Sequence, residues 1–137
     1  MSWVRRVLET ALYCDDLAKT RDFYKTVLAR EPMRASDRVV AFDVGEGTIL
    51  LLFQRGVSDH PFETPNGLVP GHVSSGPAHF AFAIDREDVQ PWLDRLNALH
   101  IPVESRVDWP LGGHSIYFRD PDGHSVELAT PGVWPSY

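Results

Sequence analysis

Cysteine, excess positive charge and long apolar segments are scarce in this sequence, and each shortage excludes a class of protein. Cys14 is the only cysteine, which excludes an internal disulfide framework and any CxxC metal site. Lys and Arg number 13 against 19 Asp and Glu, and the net charge of −6 is opposite in sign to that of a typical nucleic-acid-binding protein. The longest apolar stretch, residues 48–53, is far shorter than the ~20 residues that a membrane-spanning helix needs. We therefore expect neither nucleic acid nor a membrane among the partners.

The remaining composition is that of a folded globular protein. Of the 137 residues, 43% are hydrophobic and 23% are charged, so the chain has enough apolar surface to form a core. The N-terminal residues 1–6 lead into a strand-like pattern and not into the apolar region of a signal peptide. We expect one cytoplasmic domain over residues 1–137.

Hydrophobic periodicity predicts the same succession of elements in both halves of the chain. In each half a strand is followed by a helix and then by further strands, and we predict the order β-α-β-β-β twice. The first half contains a strand at 7–14, a helix from Asp15-Asp16 to Pro32, and strands at 38–44 and 48–53. The second half contains a strand at 78–85, a helix at 86–100, and strands at 103–109, 115–119 and 125–129.

The two halves also correspond residue by residue. An offset of 70 places Glu9 over His79, and an offset of 76 places Leu51 over Glu127. Such internal similarity indicates a duplicated unit whose halves pack against other halves, because each is too small to bury a core alone. We predict module one at about 5–56, a connector at 57–76, module two at 77–130 and a C-terminal tail at 131–137.

Three ionisable residues are each flanked by small side chains on the strand face opposite the bulky apolar residues. They are Glu9, His79 and Glu127. Small residues on such a face leave room for a ligand, and one imidazole with two carboxylates is a plausible donor set for a divalent Mn, Fe, Ni, Co or Zn ion. The alternatives are a hydrogen-bonded core histidine and two glutamates on a solvated sheet face.

Three segments resemble the vicinal oxygen chelate superfamily, which includes glyoxalases, bleomycin-resistance proteins and extradiol dioxygenases. They are Leu8–Leu17 with Arg21–Tyr24, Gly76–Phe82, and Tyr117–Leu128. The resemblance implies an α+β fold in which two tandem βαβββ modules form a curved eight-stranded mixed sheet, a metal-binding cup with helices on its outer face.

The resemblance also carries functional roles onto particular residues. It implies that Glu9, His79 and Glu127 are metal ligands and that Tyr117 lines the cup as a catalytic residue. The sequence departs from two subfamilies, because glyoxalase I enzymes have a Glu where Leu51 stands, and extradiol dioxygenases and fosfomycin transferases have a His where Glu9 stands. The second departure leaves open whether Glu9 is a ligand or a catalytic base.

The function implied is that of a metal-dependent enzyme that chelates vicinal oxygens of a small substrate. Lyase or isomerase chemistry of the glyoxalase kind and ring-cleaving dioxygenase chemistry both remain open. The alternatives are a metal-free small-molecule binding protein of the bleomycin-resistance type and a fosfomycin-type thiol transferase. The resemblance further implies a homodimer, in which modules are often exchanged so that Glu9 completes the partner's site.

Three further features are assigned from pattern alone. The stretch 56–77 is rich in Gly, Pro and Ser, and we expect a structureless lid or connector there. His124 and His72 are expected to face solvent. Trp134 and Tyr137 in the tail suggest a dimer contact.

Overall fold

The computed structural model describes residues 3–137 in two compact units. Met1 and Ser2, part of the N-terminal segment 1–6 in which no signal peptide is predicted, lie outside the described residues. The first unit ends at Gly76 and the second begins at Pro77. Within the described residues, neither α-helix combines the length and the apolar character that crossing a membrane requires.

The first unit consists of one helix, a four-stranded sheet and a small hairpin. Its elements are β1 (Glu9–Cys14), α1 (Leu17–Leu28), β2 (Arg34–Ala35), β3 (Val39–Gly45), β4 (Thr48–Gln54), β5 (Phe62–Thr64) and β6 (Gly67–Val69). The sheet order is β1-β4-β3-β2, with β1 parallel to β4 and the other pairs antiparallel. Strands β5 and β6 form the separate antiparallel hairpin.

Local sequence signals explain where these elements begin and end. The Asp16 side chain accepts a hydrogen bond from the backbone N of Lys19 at 3.1 Å and so caps α1 at the start predicted for this helix. The turn between β3 and β4 has positive φ at both Glu46 and Gly47, the backbone that a tight two-residue hairpin turn requires.

The core of the first unit lies between α1 and one face of its sheet. Leu50 and Leu52 of β4 are fully buried, whereas the alternate residue Leu51 is half-buried on the opposite face. Tyr24 and Val27 of α1 are also buried. The strand period of two therefore separates a helix-covered face from an open face, as the pattern predicted.

The second unit repeats this plan. Its elements are β7 (His79–Ala83), a short 3₁₀ turn (Arg86–Asp88), α2 (Val89–Ala98), β8 (Ser105–Asp108), β9 (His114–Arg119) and β10 (Ser125–Ala129). The sheet order is β7-β10-β9-β8, with β7 parallel to β10. Its buried apolar residues include Leu96, Ile116, Phe118, Val126 and Leu128.

The strand registers confirm the predicted duplication. Glu9 opens β1 opposite Ile49, just as His79 opens β7 opposite Ser125. Leu51 lies opposite Ala11 in the first unit, and Glu127 lies opposite Ala81 in the second. The α+β class and the repeated βαβββ order are therefore correct.

Three details of the predicted fold are wrong. The eight strands of the two modules form two four-stranded sheets and not one eight-stranded sheet, because each opening strand pairs with the last strand of its own module. The strand β2, which completes the first module, is missing from the predicted strand positions, because its two residues are too few to produce a periodic pattern. The stretch 56–77 contains the hairpin β5–β6 and is not structureless.

The C-terminal tail packs on its own unit. The Tyr137 hydroxyl donates to the carbonyl of Ala129 at 3.1 Å, while Trp134 is 67% exposed. A dimer contact through the exposed Trp134 stays a prediction. The Tyr137 hydroxyl is instead hydrogen-bonded within its own chain.

Neighbouring leucines on opposite faces of β4 provide a test of the assigned core. Leu52→Ala is expected to lower the free energy of unfolding by about 2–5 kcal/mol, because it removes a fully buried side chain. Leu51→Ala should cost less than half as much, since Leu51 lies on the open face. Urea unfolding of the two variants measures both losses, and equal losses would contradict the assignment of faces.

Candidate metal centre

Two of the three predicted ligands meet on the open face of the second unit's sheet. His79 and Glu127 are diagonal neighbours on the parallel strands β7 and β10, since Glu127 lies opposite Ala81. The small Ala81 side chain leaves space over which the two longer side chains converge. His79 Nε2 lies 3.2 Å from Glu127 Oε1.

The backbone fixes the orientation of the His79 ring. Nδ1 lies 3.1 Å from the carbonyl oxygen of Ser125. A carbonyl oxygen only accepts hydrogen bonds, so Nδ1 carries the proton in this contact. In the neutral ring the lone pair is then on Nε2, the atom that faces Glu127. Metal-binding histidines are held in the same way, with the second ring nitrogen donating to a carbonyl or carboxylate.

Glu127 is a buried carboxylate held by a chain of two hydrogen bonds. Its side chain is only 8% exposed, compared with 52% for His79. The Ser115 hydroxyl donates to Glu127 Oε2 at 2.6 Å, and the Trp109 indole N–H donates to the Ser115 oxygen at 2.8 Å. This chain satisfies Oε2 and leaves Oε1 directed at His79.

Sequence reasoning missed Ser115 and Trp109 as parts of the site. The strand period contained a signal for Ser115, because Ser115 and Tyr117 lie on the same face of β9 as Glu127 does on β10. Trp109 follows β8, and only the fold brings its indole to Ser115.

His124 anchors the start of β7, and its predicted exposure to solvent is wrong. The ring is 2% exposed, and Nδ1 accepts a hydrogen bond from the backbone N of Ala78 at 2.8 Å. This contact fixes the residue directly before His79. Asp120 Oδ1 in turn accepts from the backbone N atoms of Asp122 and His124, both at 2.9 Å.

These three turn residues also bring donor atoms together. One ligand atom from each of Asp120, Asp122 and His124 lies within 4.8 Å of the others. The hydrogen bonds just described account for Asp120 Oδ1 and for His124 Nδ1. These hydrogen bonds close the turn and position the residue before β7.

Tyr117 lies beside the two donors. It is directly opposite Glu127 on β9, and its ring centroid is 6.2 Å from that of His79. Burial raises the pKa of the Tyr117 hydroxyl; the nearby Glu127 carboxylate acts in the same direction and the Ser115 hydroxyl acts against it. The phenol is thus protonated at neutral pH and can donate a hydrogen bond or a proton.

Glu9, the third predicted ligand, belongs to the first unit. It is exposed and opens β1, the position equivalent to that of His79 in the second unit. Its participation in the site stays a prediction.

The geometry of His79 and Glu127 fits a shared divalent cation. With metal–ligand bonds of ~2.1 Å, two donors on one tetrahedral or octahedral ion are about 3.0–3.4 Å apart. The observed separation of 3.2 Å between Nε2 and Oε1 lies in this range. An imidazole and a carboxylate are also the donors that Mn, Fe, Co, Ni and Zn accept, so the residues present fit such an ion.

The chain thus repeats one βαβββ plan and places an imidazole and a carboxylate 3.2 Å apart on the sheet of its second unit. A model of the Glyoxalase/Bleomycin resistance protein/Dioxygenase superfamily matches residues 6–128. The chain belongs to this superfamily, which confirms the family resemblance.

Several known proteins are similar to the chain. A crystal structure of lactoylglutathione lyase from Agrobacterium tumefaciens is 37% identical with a TM-score of 0.86, and the match covers 98% of this chain and 99% of that one. The metallothiol transferase FosB of Shouchella clausii is 30% identical, with 84% of this chain and 73% of the relative covered. FosB of Staphylococcus epidermidis is 28% identical, with coverage of 84% and 74%.

Substitution of Ser115 tests whether its hydrogen bond stabilises the buried Glu127 carboxylate. Ser115→Ala is expected to lower the free energy of unfolding by about 1–3 kcal/mol, because a buried carboxylate loses a donor. In a Glu127→Leu background the same change should cost less, and unfolding of the four proteins of this double-mutant cycle measures the difference.

Ser105→Ala is the matched control, since Ser105 is exposed on β8 opposite Tyr117. A loss at Ser115 that does not depend on Glu127 would show that the hydrogen bond contributes nothing.

Proposed function

We propose that the protein is a metal-dependent lyase or isomerase that binds a small substrate through two adjacent oxygen atoms. The divalent cation would be held by His79 and Glu127 of the second unit, with Glu9 as the third ligand. The observation that carries the proposal is the 3.2 Å distance between His79 Nε2 and Glu127 Oε1. The other donor atom of each side chain, Nδ1 of His79 and Oε2 of Glu127, is already hydrogen-bonded within the protein.

The bound cation would supply Lewis acidity towards the two substrate oxygens. The Ser125 carbonyl keeps the His79 ring in one tautomer, and Ser115 keeps the Glu127 carboxylate in one rotamer. Tyr117, protonated at neutral pH, would donate a hydrogen bond to a substrate oxygen and stabilise negative charge that develops there.

Relatives suggest the class of substrate. The lactoyl group in the name of the Agrobacterium tumefaciens lyase has a carbonyl and a hydroxyl on adjacent carbons, which are vicinal oxygens. We therefore infer that a 2-hydroxyacyl thioester, or the thiol adduct from which it forms, is the preferred substrate class. Two carboxylates and one imidazole are a hard donor set, which favours Mn or Fe over Zn.

Thiol transfer is the second candidate reaction, and the FosB relatives favour it. Glu9 is the argument against it, because fosfomycin transferases have a His at the corresponding position. Loss of free thiol in the presence of fosfomycin and metal would identify this activity. Conversion of the adduct of glutathione and a 2-oxoaldehyde into the isomeric 2-hydroxyacyl thioester would instead identify the lyase.

The metal content of purified protein tests the site directly. Elemental mass spectrometry is expected to find close to one divalent ion per chain in the wild type and none in His79→Ala. Ser115→Ala should weaken metal binding about 10–100-fold, because it removes the group that orients a ligand. No metal in the wild type, even after reconstitution with each cation, would overturn the proposal in favour of a metal-free binding protein.

Tyr117→Phe provides the matched control for this experiment. Tyr117 is proposed to contact substrate and not the cation, so the variant should keep its metal and lose turnover. A Glu9→Gln variant that keeps its metal but loses activity would assign Glu9 as a catalytic base.

We further propose a homodimer in which the site takes Glu9 from one chain and His79 with Glu127 from the other. Glu9→Gln and His79→Ala are each expected to be inactive. If the two variants are unfolded together and refolded as a mixture, about a quarter of wild-type activity should return, because half of the dimers are mixed and each has one intact site. Mixing without any recovery would show that all ligands come from one chain.

A further inference from the structure

A cavity of about 320 Å³ lies within the first unit, between the open face of its sheet and the stretch 56–72. Val39 of β3 and Phe53 of β4, which are opposite each other in the ladder, line it from the sheet. Phe62 of β5 and Val69 of β6 line it from the hairpin. The other lining residues are Ser36, Arg38, Val57, Ser58, His60, Pro70 and His72.

Specific contacts hold the outer wall of this cavity in place. The Ser58 hydroxyl donates to the carbonyl of His72 at 2.8 Å, and the backbone N of His72 donates to the carbonyl of Ser58 at 2.7 Å. The His72 ring is hydrogen-bonded through Nδ1 to the Tyr13 hydroxyl at 2.7 Å and packs edge-on against Phe53. His72 is therefore not the solvent-facing residue that the sequence predicted.

Gly71 packs closely against the backbone of Asp59 on the opposite side of this wall. A Cβ atom at Gly71 would lie 2.5 Å from the backbone carbonyl oxygen of Asp59, closer than real contacts allow. The wall is thus packed backbone against backbone, and the cavity is preformed.

The lining combines apolar and aromatic walls with one cationic side chain. None of the lining residues in the described chain is acidic. Arg38 lies at the exposed rim, where one guanidinium nitrogen donates to the carbonyl of Val57 at 3.1 Å and the group lies 5.7 Å from the centre of the Phe62 ring. Arg38 takes part in no ion pair in the described residues 3–137, so its charge is available to an anion at the rim.

We propose that this cavity is a binding site for a small aromatic carboxylate, with the ring between Phe53 and Phe62 and the carboxylate on Arg38. A cavity of about 150 Å³ holds benzene in another protein, so one twice as large has space for two fused rings. The proposal does not rest on the proposed function, because every lining residue belongs to the first unit and none is a candidate metal ligand.

Isothermal titration of the full-length protein with 2-naphthoate tests the site. One molecule should bind per chain, and the neutral isostere 2-naphthamide should bind about tenfold more weakly because it lacks the charge that Arg38 pairs with. Arg38→Gln should weaken naphthoate binding by a similar factor and leave naphthamide unchanged. Arg34→Gln is the matched control, since Arg34 is exposed on β2 and does not line the cavity.

A second variant keeps the test valid if Arg38→Gln disturbs the wall. Val39→Trp fills the cavity from the sheet and should abolish binding of both ligands, with thermal unfolding used to check that the variant is folded. His79→Ala should bind naphthoate as the wild type does. Absence of naphthoate binding at millimolar concentration, binding unaffected by Arg38→Gln and Val39→Trp, or loss of binding in His79→Ala would each overturn the proposal.

Discussion

The parallel ladder between β7 and β10 is the constraint on which the candidate metal centre depends. Its register places Ala81 opposite Glu127 and Ser125 opposite His79, so the two donors are diagonal neighbours over a small side chain. A shift by one residue would turn Glu127 towards the helix-covered core, because side chains alternate between the faces of a strand. The buried His124 ring, hydrogen-bonded to the backbone N of Ala78, fixes the chain where this ladder begins.

Burial of the Glu127 carboxylate explains why the site also contains Ser115 and Trp109, which form hydrogen bonds and are not metal donors. A buried charge is costly unless hydrogen bonds or an opposite charge compensate it. Ser115 supports one oxygen and is itself supported by Trp109, while the other oxygen faces His79. A cation bound between His79 and Glu127 would supply the missing positive charge, so folding and metal binding favour the same arrangement of side chains.

Duplication has produced two units of the same topology with different open faces. Where the second unit has Glu127, the first has Leu51, and the face of the first unit continues through Phe53 to an apolar cavity closed by the hairpin β5–β6. One copy of the plan thus carries ionisable donors and the other carries an apolar pocket with a single cationic rim residue, Arg38. The same sheet geometry supports both, because function depends on which side chains occupy the open face and not on the fold alone.

Residue pattern was enough to predict the repeated βαβββ order, the correspondence of Glu9 with His79 and of Leu51 with Glu127, and the separation of open and buried faces. These follow from local periodicity and spacing, which the strand period of two converts directly into faces. The folded structure was needed to find the division into two sheets, the hairpin within residues 56–77, the burial of His124 and the contacts of Ser115, Trp109 and His72. The His124–Ala78 and Tyr13–His72 hydrogen bonds join residues 46 and 59 positions apart. Hydrophobic patterning does not specify which polar group will meet which, either across such distances or within a hairpin.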